Sequence, residues 1–591
     1  MTGGRARHQT YLQRTAIWIP VAVIALLMLP LVVTTRTFGD DWTKHLWMVR
    51  EQELNIRANG RPGLFLSAPP LGAFYPIFAF VGSGLYSVGG YLALLLGDRP
   101  VVAYKLLYLC GLSLAYGGMT WLSCQVGLRG WRSQMPGLVL LTGTYFITDM
   151  FARGDLGELM GLCAIPFLIA AVTAVTISKR LRPGHLFAVV LAMFVLTGSH
   201  TITLLYGTIF LALMALVLLA AYAPSRLARL PRHRLPALLA AAAIGTGLNA
   251  WYLVADVRYG LDTSTAKQNR AVGVSTLFSE WNLLLNPLRP SDSSLADTTH
   301  DFRVALPLLF ALWAIAVAIV AWRRIDRVSH RVIVLVTILS VAYVYLIVSP
   351  APWRRLPSVL DNIQYAWRLH GYVLLATAVL VMVVLLSQAQ AKGTLRRTSS
   401  ALLAVIAVFT VGAATWQAWA VPSTYRSDAG DQTAPRNFAD VVASDDHVRP
   451  VSWGGENDFR VLSKPLIDVG FAHRLTVPET KVRGSTYTGR LDVRSGPGPF
   501  RTNISSGPQF VTITGIRPIG FTTSGLVVAE RIPGKPQVGP VEITIRQAHT
   551  TLLRAGAAIS MLSLAALVAL LGWIAITFFR PRFRGALRPV A

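Results

Sequence analysis

Cysteine is nearly absent from this chain of 591 residues. There are three, Cys110, Cys124 and Cys163, and all lie inside apolar runs. They read as small core residues, and neither a disulfide framework nor a Cys-x-x-Cys zinc pattern can be built from them. Charge is scarce as well. Only 14% of the residues are Asp, Glu, Lys or Arg, against 53% hydrophobic, with a mean hydropathy of +0.50. That balance excludes an ordinary soluble domain and matches a polytopic membrane protein. No P-loop, HExxH, GxSxG or GxGxxG stands in a usable context, which removes the usual motif-based routes to phosphate-cradling, metalloprotease and serine-hydrolase chemistry. There is no internal repeat and no low-complexity tract. The basic N-terminus runs into an apolar stretch, Thr15 to Thr34, that lacks a small-residue cleavage site. It is read as a retained helix rather than a cleaved signal.

What is present is a series of apolar runs, each about 17–25 residues, long enough to cross a bilayer. They fall near 15–34, 101–128, 136–152, 156–177, 186–200, 203–223, 236–255, 304–322, 332–349, 369–388, 399–420 and 555–579, which predicts about twelve spans. The runs 136–152 and 186–200 are short. The expected fold class is therefore an α-helical polytopic membrane protein with a β-rich domain inserted before the last span. The expected division is 1–420 transmembrane, 421–552 β-rich, and 553–591 last helix with a basic tail.

The formal net charge of +27 would suggest nucleic acid in a soluble protein. Here the charges sit in every second loop. The N-terminal tail, the loops containing Arg129, Lys179, Arg226, Arg323 and Lys392, and the C-terminal tail hold 23 cations against one acid, Asp326. By the positive-inside rule these segments face the cytoplasm, with both termini. The excess charge is a topology signal, and no nucleic-acid partner is expected. A span at Leu71 to Gly97 would reverse every later loop. That run follows Pro69, Pro70 and Pro76 and carries five glycines from Gly82 onward. It is read as a juxtamembrane or re-entrant segment on the outer face.

The outer face then receives 35–100, 256–303, 350–368 and 421–554, with turns at 149–156 and 198–203. The segment 421–554 is rich in Pro, Gly, Ser and Asp. Strand-like alternation recurs in FVTITGI (510–516), GLVVAERI (525–532) and VEITIRQ (541–547), separated by turn signals. It reads as an extracytoplasmic β-rich domain, a sandwich by preference.

Four polar clusters fall on that same side. Gly39 to His45 offers Asp40, Asp41, Lys44 and His45. Adjacent carboxylates can act as a general base or hold a divalent cation such as Mg or Mn through oxygen. The plain alternative is a solvated loop that ends a helix. The turn from Asp149 to Glu158 holds Arg153 and Asp155 as well. Such groups cost free energy at this depth unless they pair or line a wet cavity, so the alternative is a structural ion pair of Arg153 with Asp155 or Glu158. His200 sits in a third turn, where an imidazole can contact phosphate or relay a proton, or simply be solvated. The fourth cluster, Asp361 to His370, includes Gln364 and Arg368. A guanidinium there can grip phosphate with two parallel hydrogen bonds, while Tyr365 and Trp367 can be interfacial belt residues. Acids together with Arg, Lys and His beside a membrane suit a lipid-phosphate substrate.

This combination of a first helix, an outer GDDWTKHL motif and a PPL-aromatic segment resembles the GT-C glycosyltransferases, polytopic enzymes that take sugars from polyprenyl-phosphate carriers. The RGDLGE turn, the His200 turn and QYAWRL look more narrowly like the YfhO-like branch, whose members are also labelled pyruvoyl-tetrahydropterin-synthase-related membrane proteins. Ala366 stands where that branch carries Pro, and no pterin-synthase zinc ligand set is visible. The resemblance covers roughly residues 15–420. It implies Asp40 or Asp41 as the base on the acceptor, and Arg153, His200 or Arg368 as holders of the carrier phosphate. It implies transfer to a cell-envelope glycan or lipid at the plasma membrane of a bacterium. Two other classes fit the same composition: a flippase for a lipid-linked precursor, and a non-catalytic scaffold for envelope assembly.

Overall fold

The computed structural model describes residues 18–33, 42–68, 72–221, 234–263, 307–363, 365–390, 394–424, 474–475, 486–493, 499–505, 507, 509–522, 526–534 and 539–586. The chain is a multi-pass helical membrane protein with a β-sheet region before its last helix. Its elements begin with α1 (Trp18–Val33) and α2 (Trp42–Asn59). A short hairpin, β1 (Leu66–Ala68) and β2 (Gly72–Tyr75), leads to α3 (Ser83–Leu95) and α4 (Pro100–Gln125). Then come α5 (Trp131–Leu141), α6 (Thr144–Ile147), a π-helical turn (Thr148–Arg153), α7 (Leu156–Ile177), α8 (Pro183–Ser199), α9 (Thr201–Ala221), α10 (Leu235–Gly247) and α11 (Ala250–Tyr259). The second half contributes α12 (Leu308–Val320), α13 (Arg327–Val348), α14 (His370–Gln390), α15 (Thr394–Thr424) and α16 (Thr551–Ala586).

Seven described helices are long and apolar enough to cross a membrane, and the pair α10–α11 makes an eighth if it is one span. Four more apolar helices are shorter, at Trp18–Val33, Ser83–Leu95, Pro183–Ser199 and Leu308–Val320. Eleven of the twelve predicted runs contain one of these apolar helices, those at 15–34 and 304–322 in the shorter form, and three further runs differ from a simple span. The run 136–152 breaks at Gly143 and ends in the π turn. The run 186–200 holds a helix of 17 residues. The run 236–255 is bent by 83° between Gly247 and Ala250.

That bend is satisfied from the outside. Ser560 of α16 donates to the Gly247 carbonyl at 3.0 Å and accepts from the Trp251 amide at 2.9 Å. One hydroxyl thus serves both a freed carbonyl and a freed amide, which a break among apolar helices requires. Asn249, fully buried at the corner, donates to the Phe194 carbonyl at 2.8 Å and to Thr197 Oγ1 at 2.9 Å on α8.

The run 71–97 does not form a long helix. Helix α3 has 13 residues, about 20 Å at 1.5 Å per residue, short of a bilayer core of about 30 Å. Its glycines serve packing. A Cβ on Gly82 would lie 1.6 Å from the Ser199 carbonyl oxygen, and one on Gly90 would lie 2.7 Å from the Glu53 amide nitrogen. The sequence-based reading of 35–100 as outer loop missed α2, an 18-residue helix whose mixed polar composition hides it from a hydropathy search.

The β region comprises β3 (Arg474–Leu475), β4 (Thr486–Val493), β5 (Phe500–Thr502), β6 (Val511–Thr514), β7 (Ile516–Phe521), β8 (Val527–Arg531) and β9 (Gly539–Gln547). They form a four-stranded sheet ordered β3-β5-β8-β7 and a three-stranded antiparallel sheet ordered β4-β9-β6. Period-two alternation sends Ile543 and Ile545 of one sheet, and Phe500, Val527 and Ala529 of the other, into one core. That core continues into Phe65, Phe74, Phe80, Tyr252 and Leu253. Phe510 packs edge-on against both Phe80 and Tyr259, at 5.7 Å each. The sheets therefore sit on α11 and on the segment that leads into α3.

Helices α4 and α7 approach closely at Gly118, where a Cβ would lie 2.6 Å from the Phe167 amide nitrogen. Its neighbour Gly117 is exposed and meets nothing within 4 Å. Small residues permit such contacts between membrane helices. Gly118→Ala is expected to lower thermal stability in detergent by about 1–3 kcal/mol through overpacking. Gly117→Ala is expected to leave it unchanged or raise it by up to about 1 kcal/mol through helix propensity. Melting curves of the two variants, which differ by one position, check the assigned face.

Candidate active site

The N-terminus of α7 positions the densest polar cluster. Ahead of it the π turn ends at Gly154, whose φ of +72° is the left-handed conformation that glycine adopts without strain. The reversal brings Asp155 to the N-cap, where its Oδ1 accepts from the Glu158 amide at 2.9 Å. It also turns Arg153 back over the helix start. Arg153 Nη1 donates to Asp149 Oδ1 at 2.6 Å and to Glu158 Oε2 at 2.8 Å, and Nη2 donates to Asp155 Oδ2 at 2.8 Å. All four side chains are at most 4% exposed. Of the two readings of Arg153, the ion-paired one is observed, with three carboxylates rather than one.

Other elements close around this centre. Helix α2 places His45 with Nε2 3.5 Å from Asp155 Oδ1 and with Nδ1 hydrogen-bonded to the Tyr86 hydroxyl of α3. Tyr145 of α6 donates to Glu158 Oε1. Tyr104 of α4 donates to the Gly154 carbonyl at 2.8 Å, which fixes the turn. His200, between α8 and α9, lies 2.8 Å from Thr203 Oγ1 through Nδ1. The 3-10 turn Ala366–Leu369 supplies Arg368, with Nε 3.3 Å from Glu158 Oε2. The Trp367 ring centre lies 4.8 Å from Arg153 Cζ and 5.8 Å from Arg368 Cζ, within cation–π range of both.

The sequence clusters around His45, Arg153 to Glu158, His200 and Arg368 thus meet in one place. Lys44 is half-buried on α2. Asp40, Asp41 and Gln364 lie outside the described residues. Tyr86, Tyr104 and Tyr145 were not foreseen as part of the cluster. The i,i+4 spacing of Tyr104 and Tyr108 was the available signal, since two phenols on one stripe of an apolar helix need polar partners.

Electrostatics distinguishes the groups. Burial alone would raise the Asp155 carboxyl, but the Arg153 guanidinium and the two imidazoles outweigh it and hold the group well below the usual carboxylate range. Asp149 moves the other way, raised by burial first and by Glu158 next. Its Oδ2 has no hydrogen-bond partner among the described residues, in keeping with a retained proton. Burial pushes the His200 imidazole down to about 4, so it is neutral at pH 7.

Asp155, Glu158 and His200 present ligand atoms that all lie within 4.8 Å of one another, a group that could bind a divalent cation. Both carboxylates are already bonded to Arg153, and Arg368 stands beside Glu158. A cation would have to displace a guanidinium hydrogen bond and face two positive charges, so this arrangement fits an anion better than a metal.

Arg368 is the odd member. It is 6% exposed, yet its Nε and Nη1 have no hydrogen-bond partner among the described residues. A buried guanidinium with unused donors is costly unless an acceptor arrives from elsewhere.

Solved structures similar to this chain include two membrane proteins. One is the arabinofuranosyltransferase AftD from Mycobacteria, at 14% identity and a TM-score of 0.40, matching 69% of this chain and 27% of that one. The other is the archaeal oligosaccharyltransferase AglB from Archaeoglobus fulgidus, in complex with an inhibitory peptide and a dolichol-phosphate. It gives 12% identity and a TM-score of 0.41, over 69% of this chain and 56% of that one. The chain thus spans about a quarter and about half of their lengths. No known family's sequence profile matches this chain, and no curated protein matches it.

The two arginines are expected to respond differently to substitution. Arg153→Gln strands three buried carboxylates and is expected to cost about 3–5 kcal/mol, seen as a large fall in melting temperature or as loss of the folded protein. Arg368→Gln removes a side chain with unused donors and is expected to keep most of that stability. Equal destabilisation would show Arg368 to be structural.

Proposed function

We propose that this protein is a membrane glycosyltransferase that moves a sugar from a polyprenyl-phosphate carrier to a cell-envelope glycan or lipid. The observation that carries the reading is Arg368, a buried guanidinium whose Nε and Nη1 have no hydrogen-bond partner among the described residues, set among apolar helices beside Glu158. Its free donors are suited to a phosphate oxygen pair. The GDDWTKHL and QYAWRL motifs favour the GT-C type over other lipid-phosphate chemistries and, more narrowly, the YfhO-like branch.

In this scheme Asp40 or Asp41 takes the proton of the acceptor hydroxyl. The acceptor oxygen bonds to the anomeric carbon, the bond from that carbon to the carrier phosphate breaks, and the carrier leaves as a phosphate. Arg368 holds the charge that develops on it, with His45, His200 and Gln364 as further contacts and Lys44 at the margin. Charge stabilisation of this kind is commonly the largest catalytic contribution. Arg153 keeps Asp155 ionised and, together with Arg368, Glu158. The reaction is assigned to the outer face of a bacterial plasma membrane, with both termini cytoplasmic and the β region beside the acceptor path. Residues 1–420 form the transferase domain, 421–552 the extracytoplasmic domain, and 553–591 the anchoring helix and tail.

The test begins with mass spectrometry of lipid that co-purifies with the protein, where a polyprenyl phosphate is expected. In a reconstituted transfer assay, Arg368→Gln is expected to lower kcat by about 100-fold or more. The pair Asp40→Asn and Asp41→Asn is expected to abolish transfer in protein that still folds. Retained transfer in that double variant would refute the assignment of the base.

A further inference from the structure

The opposite end of the same helices carries a second polar site. Helix α7 has 22 residues, about 33 Å at 1.5 Å per residue, so its C-terminus lies roughly one bilayer core away from Asp155 and Glu158. A cavity of about 570 Å³ opens there, lined by Trp121 of α4, Ala174 and Ile177 of α7, and the loop residues Lys179, Arg180 and Arg182. The three cations are exposed, and among the described residues no carboxylate pairs with them.

A helix C-terminus would normally repel an anion, because its last carbonyls carry partial negative charge. Here they are covered. Arg234, 8% exposed, donates through Nη1 to the Val175 carbonyl at 2.7 Å and to the Ser178 carbonyl, and through Nη2 to the Lys179 carbonyl at 3.1 Å. The cavity therefore keeps a net positive rim. Its wall combines an indole, which favours the membrane interface, with the apolar side chains of Ala174 and Ile177. A group that brings a phosphate to the cations and an acyl-bearing backbone to the apolar wall fits both parts.

We infer that this cavity is a binding site for the phosphodiester headgroup of an anionic phospholipid, drawn from the leaflet on the basic-loop face. Lys179, Arg180 and Arg182 hold the phosphate oxygens, and Trp121 sits at the level of the glycerol. The site is separate from the Arg368 cluster and does not depend on the reaction proposed there.

The test uses the full chain in detergent and native mass spectrometry. Phosphatidylglycerol and cardiolipin are titrated against phosphatidylcholine. The unaltered protein is expected to retain the anionic lipids selectively. The triple variant K179Q/R180Q/R182Q is expected to bind them about 100-fold more weakly, at about a fivefold loss per cation near a membrane surface. The variant R323Q/R324Q removes two cations from another basic loop and is expected to leave retention unchanged. Equal loss in both variants would reduce the effect to general surface charge and overturn the site, as would undiminished binding in the triple variant. Should the triple variant fail to fold, the unaltered protein still decides. Its melting temperature is expected to rise with phosphatidylglycerol and not with phosphatidylcholine or millimolar inorganic phosphate. An equal rise with inorganic phosphate alone would overturn the lipid assignment in favour of a free anion.

Discussion

The described half of the candidate site depends on one guanidinium. Arg153 meets Asp149, Asp155 and Glu158 with two nitrogens, at a place where an unpaired charge would not be tolerated. The local backbone serves that contact. The π turn adds a residue to the helical winding, as such turns do at functional sites. Gly154 then reverses the chain with a positive φ, and Asp155 caps α7 while still accepting from Arg153. Without the reversal, Arg153 would point along the helix instead of across its start. The paired carboxylates in turn give His45, Tyr145 and Arg368 something to face.

A second constraint comes from the break between α10 and α11. A span interrupted by an 83° bend exposes backbone groups that lipid cannot satisfy. Ser560 answers for both sides of the break, and Asn249 ties the corner to α8. The last helix therefore does more than anchor the chain. It also supplies the hydroxyl that lets α11 turn aside and become the floor on which the β-sheets pack through Tyr259 and Phe510. The sheets, the bend and the last helix are one mechanical unit, although they lie far apart in sequence.

Much of this was legible from sequence, for definite physical reasons. Long apolar runs announce membrane helices, and the strands at 511–514 and 539–547 follow the alternation that a half-buried sheet imposes. The convergence of His45, Arg153, Asp155, Glu158, His200 and Arg368 was legible because ionisable groups next to apolar helices have few places to go. What was not legible has equally definite causes. Helix α2 is neither apolar nor strongly amphipathic, and it is held by burial of residues such as Met48 and Val49 against the bundle. The bend at Asn249 depends on Ser560, more than 300 residues away, and no local pattern carries that information. Arg153 as a hub, rather than one half of a pair, required knowing that Gly154 would fold the carboxylates onto it. Asp40, Asp41 and Gln364, central to the sequence-based reading, lie outside the described residues.

The distribution of positive charge ties the two ends of the molecule together. At the α7 N-terminus, Arg153 is matched by carboxylates on its own turn, so its charge is spent locally and holds structure. Arg368 lies 3.3 Å from Glu158 without a hydrogen bond from Nε to any described residue. At the C-terminus of the same helix Lys179, Arg180 and Arg182 line a cavity, while Arg234 neutralises the carbonyls behind them. The chain carries +27 overall, and where that charge is unpaired it has acceptors still to meet. Arg153 builds the fold through its carboxylates, whereas the Arg368 donors without a hydrogen-bond partner among the described residues and the exposed cations of the basic cavity lie at opposite ends of α7, and at each of them an incoming phosphate lowers the cost of the charge.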